Sequence, residues 1–451
     1  MRTLLAISSS TLALGIALAL GLPPAACSRS GLFDVDVGGA GGTGGTGGSD
    51  AGGTGGTGGS DAGGTGGTGG VPGWPCPVEL LGPVGIDGAD NFHTRQPALT
   101  FSSDDRTRVT IAMEWVSLEG PAPLPSELRH TSLKPFASWP QGDLGPNFLA
   151  SFDGGTSFAA APSGGDRFAL LVSDGGKPTP PAGIAFTTNM KPSKGESGPF
   201  TPVDSDGSLS HFLAQRGKQH LMGLGTTTGS DAARVRTVTE QGNFLAMGSL
   251  WELGCGAVVS ADAVSVAGPE SGDGWLVAVR AAAFATSDCS TLRSDVPDSI
   301  SLAFVDTTLG LPSLRDNLVD AFVMRVALAP RGAGAWLAWT NSADVLKVAL
   351  VEPSGSIGAP IEVASDAGLD ETALAIAPAF GGLVVWHTVG GAARARLVLE
   401  DGTVSEPIAF PDFAAFDILG EPNGERALVS GVAPGSAGPD QVRLGLLRCK
   451  P

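Results

Sequence analysis

Seven short runs of apolar residues recur along residues 76–451. They are Ile111–Trp115, Phe168–Val172, Leu221–Leu224, Trp275–Val279, Trp336–Trp339, Leu383–Trp386 and Ala427–Val429. Runs of this length with almost no polar alternation are typical of strands that are buried on both faces.

Each apolar run has a shorter apolar segment shortly before it and an alternating segment after it. The preceding segments are Ala98–Phe101, Phe158–Ala161, Phe212–Ala214, Val264–Ala267, Val326–Ala329, Leu374–Ala377 and Phe416–Leu419. The following segments are Glu127–Leu133, Gly183–Thr188, Ala233–Val238, Ile300–Val305, Leu346–Val351, Arg394–Leu399 and Val442–Leu447. The same order of three strands therefore recurs seven times.

Four repeats continue with a glycine turn that predicts a fourth strand. The turns are Gln241–Asn243, Leu309–Gly310, Ser354–Ser356 and Asp401–Thr403. The Asp-Gly pair in the last of them is a strong hairpin signal. In the fourth repeat, a short helix over Ser313–Met324 is an alternative to the outer strand.

The recurring strands predict an all-β domain, a seven-bladed β-propeller over residues 76–451. The average repeat is about 54 residues, slightly longer than common propeller repeats. A β-sandwich or two smaller β domains are the alternatives. Three tryptophans at matching repeat positions, Trp115, Trp339 and Trp386, are predicted to form core between blades rather than to stack on a ligand.

The N-terminus predicts export. Residues 1–26 contain Arg2 and an apolar core, Leu12–Leu22, which is too short to span a bilayer and is typical of a signal peptide. The segment Pro23–Cys27 resembles a bacterial lipobox, although Pro24 stands where that family usually has leucine. The resemblance implies that Cys27 is acylated; the alternative is ordinary cleavage near Ala26, which leaves Cys27 as a thiol.

Residues 27–75 predict a disordered tether. An eleven-residue unit occurs at Gly41–Ala51 and again at Gly52–Ala62, and such a glycine-rich sequence cannot bury a core. Its expected reach is about 35 to 42 Å. Together with the lipobox-like cysteine it resembles exported lipoproteins of Gram-negative bacteria, which implies a cell-envelope protein anchored to a membrane through lipid.

The charge balance bears on partners. The chain has 27 lysines and arginines against 45 aspartates and glutamates, a formal net charge of -18. Such a field repels phosphate backbones, so no nucleic-acid partner is expected.

The sequence offers no catalytic, cofactor-binding or metal-binding motif. Its five histidines have no spacing typical of metal ligands. The segment Ser151–Phe158 resembles the Asp box of sialidase-like propellers. Sialidases use a tyrosine nucleophile, and this chain has no tyrosine, so that activity is excluded and the segment is interpreted as a turn.

Two functions therefore remain. The first and preferred one is a non-enzymatic binding or scaffolding propeller for an envelope protein or polysaccharide. The second is an envelope hydrolase or cofactor-dependent enzyme with a site on the loop face or in the central channel. The predicted binding face carries the loops Val116–Ser126, Asp174–Ala182 and Ala281–Ser299, with His387 and Trp139 on or near it.

Four cysteines besides Cys27 can pair in an exported protein. Cys449 ends the third strand of the last repeat, where the chain stops before a fourth. The unassigned strand Val78–Leu81 is predicted to complete that blade and to bring Cys76 next to Cys449. Cys255 and Cys289 are predicted to form the other disulfide. The alternative is that all four cysteines are buried reduced thiols.

Overall fold

A computed structural model describes the chain from residue 76 to residue 450, with gaps. The described residues are 76–86, 92–103, 105–119, 124, 126–140, 144–152, 156–163, 167–174, 182–188, 201–204, 208–226, 233–239, 243–251, 256–267, 273–283, 299–307, 312–320, 323–341, 343–368, 374–388, 392–410, 416–421, 424–433 and 441–450. They form 28 strands and no helix.

The strands build seven antiparallel sheets of four strands each, here called sheets 1 to 7 in chain order. Sheet 1 contains β2 (Phe92–Phe101), β3 (Val109–Ser117), β4 (Ser126–Leu133) and β5 (Asn147–Phe152). Sheet 2 contains β6 (Thr156–Ser163), β7 (Arg167–Asp174), β8 (Ala182–Thr188) and β9 (Thr201–Asp204). Sheet 3 contains β10 (Ser208–Arg216), β11 (Gln219–Thr226), β12 (Ala233–Thr239) and β13 (Phe244–Trp251). Sheet 4 contains β14 (Gly256–Ala267), β15 (Asp273–Ala283), β16 (Ser299–Asp306) and β17 (Pro312–Val319).

The remaining three sheets follow the same order along the chain. Sheet 5 contains β18 (Val323–Arg331), β19 (Gly334–Asn341), β20 (Leu346–Val351) and β21 (Ile361–Ala364). Sheet 6 contains β22 (Leu374–Ala377), β23 (Gly382–His387), β24 (Ala393–Val398) and β25 (Ile408–Phe410). Sheet 7 contains β26 (Phe416–Gly420), β27 (Arg426–Ala433), β28 (Gln441–Cys449) and, beside β28, the N-terminal strand β1 (Val78–Gly85).

The sheets have the arrangement of a propeller, which confirms the predicted all-β class. The first strand of each sheet contacts the first strand of the next, from β2 and β6 through to β22 and β26, and β26 also contacts β2. Clusters of buried apolar side chains lie between neighbouring sheets, and Trp275, Trp336, Trp339 and Trp386 are among the largest fully buried residues. The apolar runs are therefore strands covered on both faces.

The outer strand predicted for the fourth repeat is present as β17. The helix considered over Ser313–Met324 does not form, because β17 pairs with β16 from Ser299↔Val319 to Val305↔Pro312. A register shift between Leu302 and Ala303 interrupts this ladder. Such a bulge disturbs the strict two-residue alternation that identifies a strand in sequence.

The N-terminal strand lies beside the last strand of the chain. β1 pairs with β28 from Val78↔Cys449 to Gly85↔Arg443, and Cys76 is bonded to Cys449 across 373 residues. The predicted Cys76–Cys449 disulfide is thus present. Cys27, Cys255 and Cys289 lie outside the described residues.

Glycine permits two of the predicted hairpin turns. Gly355 and Gly402 have φ values of 90° and 86°, in the region that residues with a Cβ rarely adopt. Among the residues described, no helix is long and apolar enough to cross a membrane.

Candidate functional site: a polar cleft between sheets 5 and 6

A cleft of about 310 Å³ lies where sheet 5 meets sheet 6, and we call it the 5/6 cleft. It is lined by Glu362, Val363, Ala364, Ser365, Asp366, Trp386, Arg394 and Arg396. Its volume is at the lower end of the range for small-molecule sites, about 300 to 1,000 Å³. Most of its functional groups are polar or charged, unlike a gap between apolar core residues.

The cleft is formed by the last strand of sheet 5 and the middle strands of sheet 6. Asp366 follows β21, while Arg394 lies at the start of β24, just after the connection from β23. Connections between second and third strands and between consecutive sheets lie at this end of the sheets. The cleft therefore lies at the end of the sheets where the binding face was predicted.

Local alternation places three donor side chains on one face of sheet 6. Arg394 and Arg396 are two residues apart on β24 and so point to the same side. Trp386 is the cross-strand partner of Arg394, which puts its indole on that side as well. The face they share is the one turned toward sheet 5.

The ionic contacts of the two arginines differ. Arg394 Nη1 donates to Asp366 Oδ2 at 2.8 Å, and both side chains are about two-fifths exposed. Arg396 Nη1 donates to the backbone carbonyl of Val363. Within the described part of the chain, Arg396 has no carboxylate partner.

Two buried N–H donors of the cleft have no acceptor among the described residues. They are Nε1 of Trp386, a residue that is only 1% exposed, and Nε of Arg396. A buried donor left without an acceptor costs about 1 to 3 kcal/mol. An oxygen acceptor, supplied by water or by a bound molecule, would satisfy these two donors.

At the preceding junction, between sheets 4 and 5, the corresponding side chains are present and their donors have an acceptor. Trp339 and Lys347 are cross-strand partners there, as Trp386 and Arg394 are in sheet 6. The carboxylate of Asp320, which follows β17, accepts from Trp339 Nε1 at 2.7 Å and from Lys347 Nζ at 2.9 Å. A carboxylate thus fills the position that corresponds to the empty acceptor position beside Trp386.

Sheet 1 shows a third version of the arrangement. Trp115 is paired across strands with Glu127, and Arg129 lies two residues further along β4, as Arg396 does on β24. The guanidinium of Arg129 stacks 4.1 Å from the Trp115 ring and donates to Glu127. Arg394 occupies the position of this glutamate in sheet 6, so Arg396 lacks the neighbouring carboxylate that Arg129 has.

Buried carboxylates on the inner strands have a structural role. Asp262 on β14 accepts from the backbone N–H of Leu328 in sheet 5 at 2.7 Å and from that of Ala263 at 2.8 Å. Asp417 on β26 makes the corresponding contacts to Leu99 in sheet 1 and to Ile418. Each carboxylate therefore joins one sheet to the next.

The two residues predicted for the binding face lie at opposite ends of their sheets. His387 ends β23, is buried, and accepts a hydrogen bond from Gly368 through its carbonyl, next to the 5/6 cleft. Trp139 follows β4 in the connection to β5 and packs, half-buried, against the core between sheets 7 and 1. That connection lies at the other end of the sheet, so Trp139 does not share a face with His387. Most residues of the three predicted binding loops lie outside the described residues.

Two other histidines are buried between sheets. Burial lowers the pKa of His130 from its usual 6.5 to about 4, and its ring lies 5.5 Å from that of Phe168 in sheet 2. Burial also lowers the pKa of His220 to about 4, against the opposing effect of its hydrogen bond to the Pro162 carbonyl. Both side chains are neutral at pH 7.

The remaining chemical motifs add no second site. The Asp-box-like segment runs from the end of β5 to the start of β6, and residues 153–155 between the two strands lie outside the described part of the chain. No group of three or more histidine, cysteine, aspartate or glutamate side chains in the described ranges could hold a metal ion.

Sequence reasoning identified Arg394 only as the start of a strand and did not identify Arg396. The available signal was the spacing of two arginines in an otherwise apolar strand, Ala393–Val398. This spacing places two cations on one face of a buried strand, where charges are rare unless they are paired or functional.

No protein-family model and no curated protein matches the chain. Among solved structures, it is similar to a protein of unknown function from Dyadobacter fermentans, with 13% identity and a TM-score of 0.46 over 83% of this chain and 99% of that one. It is also similar to the polysaccharide lyase Uly1, with 10% identity and a TM-score of 0.46 over 75% and 88% of the two chains. The Dos1 propeller has 9% identity and a TM-score of 0.46 over 80% and 94%. At these identities the likeness concerns the fold alone.

Proposed function

We propose that the protein is a cell-envelope binding propeller, held to a membrane by lipid on Cys27 and a glycine-rich tether, with the 5/6 cleft as its ligand site. The observation that carries the binding role is the pair of buried donors without acceptors, Trp386 Nε1 and Arg396 Nε, in a cleft at the loop face. The junction of sheets 4 and 5 supports this role, because there the carboxylate of Asp320 accepts from the corresponding donors, Trp339 Nε1 and Lys347 Nζ.

We also infer that the seven sheets are seven blades of one ring whose seam is closed by the N-terminal strand. The pairing of β1 with β28 and the contacts of β26 with β2 support this inference. The Cys76–Cys449 disulfide joins the two ends of the ring chain at that seam. A rigid closed ring would hold the cleft in one geometry.

A non-enzymatic role accounts for the inner-strand carboxylates. An enzyme acting in the central channel needs carboxylates that can exchange protons or attack a substrate. Asp262 and Asp417 instead lie on different sheets, and both oxygens of each accept backbone N–H groups. Their chemistry is used to join sheets.

The anchoring part of the proposal rests on residues 1–75, which lie outside the described residues. Replacing Cys27 with alanine should move the protein from the membrane fraction to the soluble envelope fraction, because the acyl chains are lost. Unchanged partitioning of Cys27→Ala would contradict the anchor.

The binding part is tested by the thermal stability of the full chain with a chemically broad panel of sugars, sugar acids and acidic peptides. A ligand of the 5/6 cleft should raise the Tm of the wild-type protein but not that of Arg396→Gln. A panel in which no ligand raises the Tm, or in which every rise survives Arg396→Gln, would contradict the assignment of this cleft.

A further inference from the structure

The ligand of the 5/6 cleft can be assigned a chemical class, an inference that rests on the binding function proposed above. We propose that the cleft binds an acidic sugar, a molecule that offers one carboxylate to Trp386 and Arg396 and hydroxyl groups to the carboxylates at the rim.

The carboxylate is indicated by the donors of Arg396. Its Nη1 is used by the Val363 carbonyl, which leaves the edge formed by Nε and Nη2, and the buried Nε on that edge has no acceptor among the described residues. That edge carries two parallel N–H groups, the geometry that binds a carboxylate through both oxygens. The indole N–H of Trp386 is a further donor on the same side of the sheet.

The protein itself supplies a template for such a contact. At the junction of sheets 4 and 5, one carboxylate oxygen of Asp320 accepts from both Trp339 Nε1 and Lys347 Nζ. At the junction of sheets 5 and 6 the corresponding aspartate, Asp366, binds Arg394 and no other side chain among the described residues. The carboxylate of a ligand would take the position beside Trp386 that Asp320 takes beside Trp339.

The hydroxyl groups are indicated by the acceptors of the cleft. Glu362 and Asp366 also line it, and the charges of these two acids balance those of Arg394 and Arg396. A simple carboxylate would gain the arginines but meet the acids without compensation. Hydroxyl groups donate to carboxylates, so a polyhydroxylated carboxylate satisfies both kinds of group.

The test is calorimetric titration of the full chain with three probes: D-glucuronate, D-glucose and the amide-capped amino acid acetyl-glutamate amide. Glucuronate should bind more tightly than either of the others, because glucose lacks the carboxylate and the peptide probe lacks the hydroxyls. Arg396→Gln and Trp386→Phe should each weaken glucuronate binding about tenfold or more.

Two variants guard against misfolding. Arg396→Lys keeps the charge but loses the two-pronged edge, and should weaken binding nearly as much as Arg396→Gln. Trp339→Phe is the matched control for Trp386→Phe, because it removes the corresponding indole at the junction of sheets 4 and 5. It should leave glucuronate binding unchanged.

Other results would overturn the inference in distinguishable ways. Equal binding of glucose would refute the carboxylate contact. Tighter binding of the glutamate probe would assign the cleft to acidic peptides. In both cases the proposed binding function still holds if Arg396→Gln abolishes the binding of the probe. Glucuronate binding that is unaffected by both cleft variants would refute the site itself.

Discussion

The junctions on the two sides of sheet 5 each contain a tryptophan, a basic residue and an aspartate, but the contacts of the aspartate differ. Between sheets 4 and 5, Asp320 joins Trp339 and Lys347, and its side chain is 14% exposed. Between sheets 5 and 6, Asp366 contacts Arg394 alone within the described part of the chain, is 42% exposed, and leaves a cleft beside Trp386. A change in the position of one carboxylate separates a sealed junction from an open one.

The inner strands at the two junctions also differ in their polar contacts. At the sealed junction, Asp262 and the hydroxyl of Ser260 accept backbone N–H groups of β18. At the open junction, the strand that corresponds to β14 is β18, which has no carboxylate, and the strand that faces it, Leu374–Ala377, consists of buried apolar residues. The open junction thus lacks the contacts from a carboxylate to the neighbouring backbone that join sheets 4 and 5.

Opening the seam should have the largest effect, and it should act on both junctions together. Cys76→Ser with Cys449→Ser should lower the free energy of unfolding by about 2 to 5 kcal/mol, because the unfolded chain gains freedom. Urea denaturation measures the loss, and hydrogen exchange of β19 and β23 shows whether the two junctions share it. A loss confined to one of them would contradict a single closed ring.

Acid should loosen a different part of the ring before it affects the two junctions. His130 and His220 have pKa values lowered to about 4 in the folded protein, whereas the unfolded chain binds protons near pH 6.5. Stability is therefore fully present above pH 6.5 and falls as the pH drops toward 4, by on the order of 3 kcal/mol for each histidine.

Urea denaturation between pH 7 and pH 4 checks this dependence. His130→Phe, which keeps a ring beside Phe168, should remove part of the slope between pH 6.5 and pH 4. An unchanged slope in this variant would show that His130 is not the source.

Removing the carboxylate of Asp262 should weaken the contact between the inner strands of sheets 4 and 5 and lower the free energy of unfolding. Asp262→Ala leaves two backbone N–H groups buried without their acceptor, and we expect a loss of about 2 to 3 kcal/mol. The same measurement on Asp417→Ala should give a similar loss at the junction of sheets 7 and 1. A loss below about 0.5 kcal/mol in both variants would contradict their role in joining sheets.

The smallest expected losses of stability come from replacing the two aspartates at the rims of these junctions, Asp320 and Asp366. Asp320→Ala should cost about 2 kcal/mol, because Lys347 and the buried indole of Trp339 lose their shared acceptor. Asp366→Ala should cost less than about 1 kcal/mol, because its ion pair is exposed. Equal losses in chemical denaturation would remove the distinction between sealed and open junctions.

The strands were predictable from sequence, because burial on both faces produces apolar runs that recur with the blades. Leu374–Ala377 is observed with the predicted bounds. The bulge in β17 left a helix open as an alternative to the predicted outer strand. The cleft could not be predicted because it depends on where two aspartates lie after their strands. Trp115, Trp339 and Trp386 were expected in the core and are buried; what sequence could not distinguish is which of their indoles has an acceptor.

The most direct test observes those indoles. In the ¹⁵N-labelled full chain, the indole N–H resonances of Trp386 and Trp339 can be assigned with Trp386→Phe and Trp339→Phe. Addition of D-glucuronate should shift the Trp386 resonance downfield, as a new acceptor forms a hydrogen bond, and leave the Trp339 resonance in place. A saturating titration that moves neither resonance, or moves both alike, would contradict the account of one sealed and one open junction.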